Sequence, residues 1–346
     1  MYQKTLDDLV YMSVTSGKRV DYVQAGGGNT SAKFDDGFMA IKASGYLLKE
    51  MTNSKAFVVV NGAEMNKYHH EDHPAGVDCN KEATEIAMST IKQVNGEKPA
   101  RPSVEVGFHS VLDKFVLHLH PVYVNVLMCS KGGVEKALEI VKKAGLHATF
   151  VPYSMPGYDL TKLILDAVDG YEKANGVKPQ VIFLKNHGVT TTAETAQEAL
   201  ELMDKVNDSI REALNLPEFP TPAIEPCEGG FKSACAWLKD VMKDNSLAEA
   251  VRYEPVYPDQ LVYTANEMSI DGSGDGKIAI VGGDMIYKAG EKEAMALEET
   301  MVALFYVYYN IKKCGFEYER LSEAECAKVL GWDSEKYRKS LMAEAE

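Results

Sequence analysis

The chain has 346 residues, 45% of them apolar and 25% charged, the proportions of a folded globular protein rather than a disordered one. Its 37 Lys and Arg stand against 51 Asp and Glu, a net charge of −14 with an isoelectric point near 5.1, which excludes a nucleic acid or an anionic membrane surface as the main partner. The length exceeds what one hydrophobic core usually organises, so a main domain with an appendage, or two domains, is expected.

In chain order, residues 3–16 are expected as a helix, followed by the glycine-rich turn Ala25-Gly26-Gly27-Gly28-Asn29-Thr30-Ser31 and strands over 35–42 and 56–60. A polar loop holds His69-His70-Glu71-Asp72-His73-Pro74, and Ile86, Ala87, Ile91 and Val94 recur at helical spacing over 80–94. Pro102-Ser103 opens another helix, with Ser103 as its N-cap. Strands over 114–120, 147–151 and 180–184 then alternate with helices over 134–144, 159–175 and 193–214, an α/β layering whose sheet topology stays open. Pro217, Pro220, Pro222 and Pro226 stiffen the chain and mark a boundary. Beyond it the pattern gives a helix near 231–250, a strand near 260–263, a hairpin over 278–287 turning at Gly282-Gly283-Asp284, and a long helix over 291–313. The expected division is a domain over 1–220, a linker and helix over 221–252, and an α+β appendage over 253–346 in which no cluster demands chemistry.

The first 20 residues lack the pattern of a secretory signal, and the most apolar run, 301–309, has nine residues, three of them tyrosine, too short to span a bilayer. Six scattered cysteines fit reduced thiols, and a cytoplasmic protein is expected; Cys227 and Cys235 lack redox-pair spacing.

His118 and His120 lie at i and i+2 of a strand, so both imidazoles point to one face and can reach one ion. His187, in Lys185-Asn186-His187-Gly188, follows another apolar strand, where glycine permits a tight turn. Three imidazoles with an open fourth position make a catalytic zinc site, although each read alone is equally a packed core or loop histidine. Glu105, in a first helical turn, is either a dipole-stabilised surface carboxylate or a base beside that metal. Residues 26–31, Lys42-Ala43-Ser44-Gly45 and Ser103 offer backbone N–H groups and hydroxyls to a phosphate, but the triple glycine matches neither the P-loop nor the dinucleotide fingerprint, and alone it reads as a turn. Gly272-Ser273-Gly274-Asp275-Gly276 likewise reads as a hairpin loop. His69, His70, Glu71, Asp72 and His73 form a rival cluster whose adjacent residues do not readily converge on one ion.

The order of Gly-Gly-Gly-Asn-Thr-Ser, Ile41-Lys42-Ala43-Ser44-Gly45, Pro102-Ser103-Val104-Glu105, His118-Leu119-His120-Pro121 and Lys185-Asn186-His187-Gly188 resembles the class II aldolase/adducin family over about residues 1–215. Within it the chain is most similar to the aldolase half of bifunctional rhamnulose-1-phosphate aldolase/short-chain dehydrogenase proteins, where a segment like Tyr253-Glu254-Pro255-Val256-Tyr257-Pro258-Asp259-Gln260 also follows. With Glu346 as the last residue no dehydrogenase half is expected, and an NAD-dependent activity is not carried over.

The resemblance implies a three-layer α/β/α fold with a central, mainly antiparallel sheet, assembled as a homotetramer. It implies Zn²⁺ or another divalent transition metal on His118, His120 and His187, and Glu105 as the catalytic acid/base. Gly28, Asn29, Thr30, Ser44, Gly45 and Ser103 would hold the phosphate of a small-molecule sugar phosphate. The implied reaction is reversible cleavage of a ketose 1-phosphate of the rhamnulose or fuculose type to dihydroxyacetone phosphate and an aldehyde, the metal stabilising an enediolate as a Lewis acid. Fuculose-phosphate aldolases also use a tyrosine from a neighbouring subunit as proton donor. At the matching place this chain has Lys131-Gly132-Gly133-Val134, leaving Tyr153 and Tyr158 as candidates. Pentulose-phosphate 4-epimerase and sugar-phosphate dehydratase chemistry run on the same scaffold, whereas an adducin-like structural module has no physical need of these histidines. The net charge of −14 does not exclude a phosphate, because hydroxyls, backbone N–H groups and a local cation act at contact distance.

Overall fold

The computed structural model describes residues 2–92, 100–264, 267–270, 272 and 276–331. In chain order its first part runs α1 (Tyr2–Gly17), β1 (Asn29–Lys33), β2 (Phe38–Lys42), β3 (Phe57–Asn61), α2 (Gly62–His70), α3 (Cys79–Ser89), α4 (Val106–Val111), β4 (Phe115–Leu119), α5 (Val122–Met128), α6 (Gly133–Lys143), β5 (Ala148–Val151), α7 (Tyr158–Asn175), β6 (Val181–Leu184), β7 (Gly188–Ala193) and α8 (Ala196–Ala213). The second part runs β8 (Ile224–Cys227), β9 (Gly230–Ser233), α9 (Ala236–Val241), α10 (Asn245–Tyr253), α11 (Pro258–Thr264), β10 (Met268–Ser269), β11 (Ile278–Val281), β12 (Asp284–Tyr287), α12 (Glu291–Lys313) and α13 (Glu323–Leu330).

The first seven strands form one sheet in the order β3-β2-β1-β4-β7-β6-β5, antiparallel throughout except for the parallel β5–β6 pair. Side chains alternate between its faces. Leu117 and Leu119 of β4, Ala40 of β2 and Phe183 of β6 join one core with residues of α1, α5, α6 and α8. Met39 and Ile41 pack instead with residues of α2 and α3, while Val116 and Ile182 pack with Phe108 of α4 and Leu160 and Ile164 of α7. The expected three-layer α/β/α arrangement around a mainly antiparallel sheet is therefore present.

The helices on these faces follow from their sequences. In α8, Ala199, Met203, Val206 and Ile210 recur at three- and four-residue intervals and are buried, and the Thr195 hydroxyl caps its start by accepting from the Glu198 N–H at 3.2 Å. Each such aliphatic side chain contributes about 1.5–3 kcal/mol by leaving water. Glycine 176, at φ +71°, ends α7 in the left-handed conformation.

A second sheet, β10-β11-β12-β9-β8, follows. The segment 221–252, read from sequence as a linker and one helix, instead supplies the β8–β9 hairpin, which pairs with β12, and then α9 and α10. Residues 260–263, expected as a strand, lie in α11: Pro258 and Asp259 are helix-start residues, and a short buried apolar run carries no period that separates helix from strand. The hairpin over 278–287 and the long helix α12 stand where expected. Helix α3 ends at Ser89, and Val94 and residues 273–275 of the proposed hairpin loop lie outside the described residues. The main core is continuous across both parts, joining α5 to α12, with the Tyr123 and Tyr306 rings 5.8 Å apart. All six cysteines are free thiols, and among the described residues no helix is long and apolar enough to cross a membrane.

Candidate metal centre

The register of three strands sets the site. Asn29 of β1 and Thr190 of β7 lie directly across from His118 of β4, so all three face one side of the sheet. His120 follows at i+2, just past the strand end. The turn between β6 and β7 carries His187, with Asn186 held in the left-handed region at φ 52°. Asn186 is tied down on three sides: its N–H donates to Met128 O at 3.0 Å, and its side-chain amide donates to Val256 O at 2.8 Å and Glu319 O at 2.6 Å. A Cβ on Gly188 would lie 2.3 Å from Leu119 O, so the closeness of this turn to β4 requires glycine.

His118, His120 and His187 are buried, and each offers one nitrogen within 4.8 Å of the others, the group of that kind found among the described residues. Val189 O, an acceptor only, stands 3.2 Å from His118 Nδ1, and Asp259 Oδ2 stands 2.5 Å from His120 Nδ1. The carbonyl contact places the proton of neutral His118 on Nδ1 and leaves its Nε2 with a lone pair, and Asp259 accepts from His120 Nδ1–H. The two Nε2 atoms are 3.1 Å apart. A cation with bonds of about 2.0–2.1 Å to each nitrogen fits between them in place of a shared proton. The donor set therefore fits a divalent transition metal.

Glu105 completes the centre. Its Oε2 lies 3.6 Å from His118 Nε2 and its Oε1 3.5 Å from His187 Nε2. Asn29 donates its side-chain amide to Oε2 at 2.6 Å, while the buried Oε1 has no hydrogen-bond partner. Such an atom is costly to bury and marks a place where a ligand or proton belongs. Glu105 is the N-cap residue of α4 but makes no capping bond, because its side chain turns to the histidines instead. Ser103, expected as that cap, accepts from Glu105 N–H at 3.3 Å and from the Asn29 amide at 3.1 Å.

Burial favours the neutral form of His118 and His187. It holds His118 well below its ordinary value, with His120 adding to the effect, and pushes His187 down to about 3 against the pull of Glu105. His109, a residue the sequence did not single out, is also pushed well below its ordinary value by burial. It bridges Ser31 Oγ, at 2.8 Å, and Asn29 Oδ1, fixing the amide that holds Glu105.

A pocket of about 40 Å³ opens on the centre, and Gly28, Asn29, Lys42, Ser44, Ser103 and Glu105 are among its lining. The buried Lys42 side chain donates to Gly26 O at 3.0 Å beside this pocket. Of the six residues named for phosphate, Thr30 is placed elsewhere: strand alternation turns it to the opposite face, where its hydroxyl is 2.7 Å from Ser13 Oγ of α1. Gly45, at φ +87°, shapes the turn after Ser44 without lining the pocket. Pro258, Asp259, Val262 and Val329, all from the C-terminal part, also line it.

The rival cluster does not assemble. His69 and His70 end α2 rather than lying in a loop, and their Nδ1 atoms contact Met65 O at 2.7 Å and Asn66 O at 2.9 Å, while His73 Nε2 contacts Tyr68 O at 2.9 Å. Neither candidate tyrosine lines the pocket: Tyr158 stacks on His69 with ring centres 5.4 Å apart, and Tyr153 lines a neighbouring cavity of about 700 Å³.

Comparison with known proteins places this geometry in context. The family model described as Class II Aldolase and Adducin N-terminal domain matches residues 10–214. The chain is 25% identical over 228 residues to the uncharacterized oxidoreductase YuxG of Bacillus subtilis, a match covering 62% of this chain but 31% of that protein, so it spans less than a third of the relative's length. Among solved structures, it is similar to the N-terminal class II aldolase domain of a conserved protein from Thermoplasma acidophilum, with 23% identity and a TM-score of 0.49 over 60% of this chain and 93% of the other. It is also similar to L-fuculose-1-phosphate aldolase from Thermus thermophilus, with 14% identity and a TM-score of 0.40 over 62% and 95% of the two chains.

Proposed function

Because the chain belongs to the Class II Aldolase and Adducin N-terminal domain family, we propose that it is a metal-dependent aldolase cleaving a ketose 1-phosphate, of the rhamnulose or fuculose 1-phosphate type, to dihydroxyacetone phosphate and an aldehyde. The observation that carries this reading is Oε1 of Glu105, buried without a hydrogen bond beside a cluster of three imidazoles whose nitrogens converge. An adducin-like structural module gains nothing from burying such a set, since each desolvated polar group costs stability.

His118, His120 and His187 would hold zinc or another divalent transition metal, which as a Lewis acid stabilises the negative charge left when the C3–C4 bond breaks. Glu105 would take the C4 hydroxyl proton as the carbon–carbon bond breaks and deliver it to C3, the two transfers running in reverse in the addition direction. Asn29 holds Oε2, leaving Oε1 for those transfers. Ser44, Ser103 and the backbone around Gly28 receive the phosphate, beside the Lys42 side chain. Pro258, Val262 and Val329 limit the entry of water. A domain division at about residue 220, a homotetrameric assembly and a cytoplasmic location belong to the same proposal.

Incubating purified, metal-loaded protein with a panel of ketose 1-phosphates and identifying the products tests it. Dihydroxyacetone phosphate with a stoichiometric aldehyde is expected. A pentulose phosphate epimerised at C4, or loss of water without carbon–carbon cleavage, would replace the aldolase reading by epimerase or dehydratase.

A further inference from the structure

The C-terminal part approaches the histidines through one charged side chain. Helix α11 begins at Pro258, and this places the Asp259 carboxylate against His120. Asp259 and His120 are both buried, and a Cβ added at Gly27 would fall 3.2 Å from Asp259 Oδ2 and 3.4 Å from His120 Nδ1, so the glycine-rich turn closes over the pair. Neighbouring contacts hold the helix in place: Tyr263 OH accepts from the Gly26 N–H at 3.1 Å, and Glu299 Oε2 of α12 accepts from the Ala25 N–H at 2.9 Å. The matched family region ends at residue 214, so this carboxylate lies beyond it in the chain.

We propose that Asp259 is a positioning residue of the metal centre: by accepting the Nδ1–H of His120 it fixes the tautomer and ring angle that present His120 Nε2 to the ion. The inference rests on the metal-centre reading above. A carboxylate behind a ligating imidazole orients the ring and makes its free nitrogen a stronger donor, and losing such a partner typically weakens metal binding 10–100-fold. The three ligands thus have unequal support. His118 is backed by neutral groups of β7, a carbonyl and the Thr190 hydroxyl at 3.2 Å, whereas His120 is backed by a carboxylate from a separate part of the chain. The C-terminal part becomes a component of the site rather than a covering on it.

The test uses the full chain, stripped with chelator and titrated with Zn²⁺ against a chromophoric chelator, with the visible spectrum of the Co²⁺-loaded protein as a second readout. Asp259→Ala is expected to bind Zn²⁺ 10–100-fold more weakly and to shift the Co²⁺ bands. Asp259→Asn, which keeps an acceptor oxygen but no charge, should fall between it and the wild type, and serves alone if the alanine variant does not fold. Tyr263→Phe, which removes the hydroxyl that accepts from the Gly26 N–H and so loosens the docking of the same helix, should bind as the wild type does. Unchanged affinity and bands in both Asp259 variants, with His118→Ala losing the ion, overturns the inference while leaving the metal centre standing. A Tyr263→Phe loss as large as that of Asp259→Ala also overturns it, because docking alone would then explain the effect. A wild-type chain that binds no ion removes the metal reading itself.

Discussion

The side-chain amide of Asn29 donates to Glu105 Oε2 at 2.6 Å, while the other carboxylate oxygen has no hydrogen bond within the protein. One oxygen is thus anchored and the other kept for chemistry. Glu105→Gln keeps size and the hydrogen-bonding shell but cannot carry the proton. It is expected to retain its metal and to lose turnover by about 10²–10⁴-fold, the range for a general acid–base group. Metal analysis alongside a dihydroxyacetone phosphate assay checks both halves, and near-wild-type turnover would remove Glu105 from the role.

Removing one imidazole from a three-nitrogen site should abolish stoichiometric binding. His118→Ala is expected to leave the purified protein without its transition metal, measured by plasma emission. Metal content equal to that of the wild type would mean that the ion sits elsewhere.

Thr30 and Ser44 were grouped by the sequence as phosphate contacts, and the structure separates them. Ser44→Ala should raise KM for a phosphorylated substrate about tenfold, roughly one hydrogen bond to a charged group, with little change in kcat. Thr30→Val, on the far face of β1 beside Ser13, should leave KM alone and cost about 1 kcal/mol of stability. Steady-state kinetics and urea unfolding of the two variants distinguish the sites; equal KM increases would contradict the assignment of faces.

The buried imidazoles make the metal-free protein sensitive to acid. His187 titrates near 3 when folded and near 6.5 when unfolded, so between these values the unfolded chain holds a proton that the folded chain refuses. Stability is therefore complete above about pH 6.5 and falls as the pH drops, by about 2 kcal/mol from this residue at pH 5. Urea unfolding of the chelator-treated wild type and His187→Gln at pH 7.5 and pH 5 measures it: the wild type should lose about 2 kcal/mol more than the variant. Equal losses would show that His187 is not held neutral.

Much of this site was legible in the sequence because its chemistry sits on regular elements. The i and i+2 spacing of His118 and His120, and a glycine after His187, are local signals that survive folding unchanged. What escaped was non-local or lacked a period. His109 looks like any residue of a short helix until β1 places Asn29 and Ser31 beside it. Asp259 stands beside a segment whose sequence reads as a strand, and its partner His120 is 139 residues away. Helix α5 is buried on every side and shows no amphipathic pattern, and β7 is rich in threonine, whose hydroxyls bond within the fold: Thr191 donates to Ala199 O at 2.9 Å, and Thr192 accepts from Asp113 N–H at 2.8 Å.

The apolar core that runs from α5 into α12 has a thermodynamic corollary. Tyr306 donates to Pro217 O at 2.5 Å, and Tyr123 OH accepts from the Phe219 N–H at 2.9 Å, so the proline-rich segment is stitched to aromatic residues on both sides of it. Neither sheet can shed its partner without exposing these rings. Scanning calorimetry of the intact chain should therefore record a single endotherm whose calorimetric and van't Hoff enthalpies agree, and the histidine cluster should disassemble in that same event rather than before it.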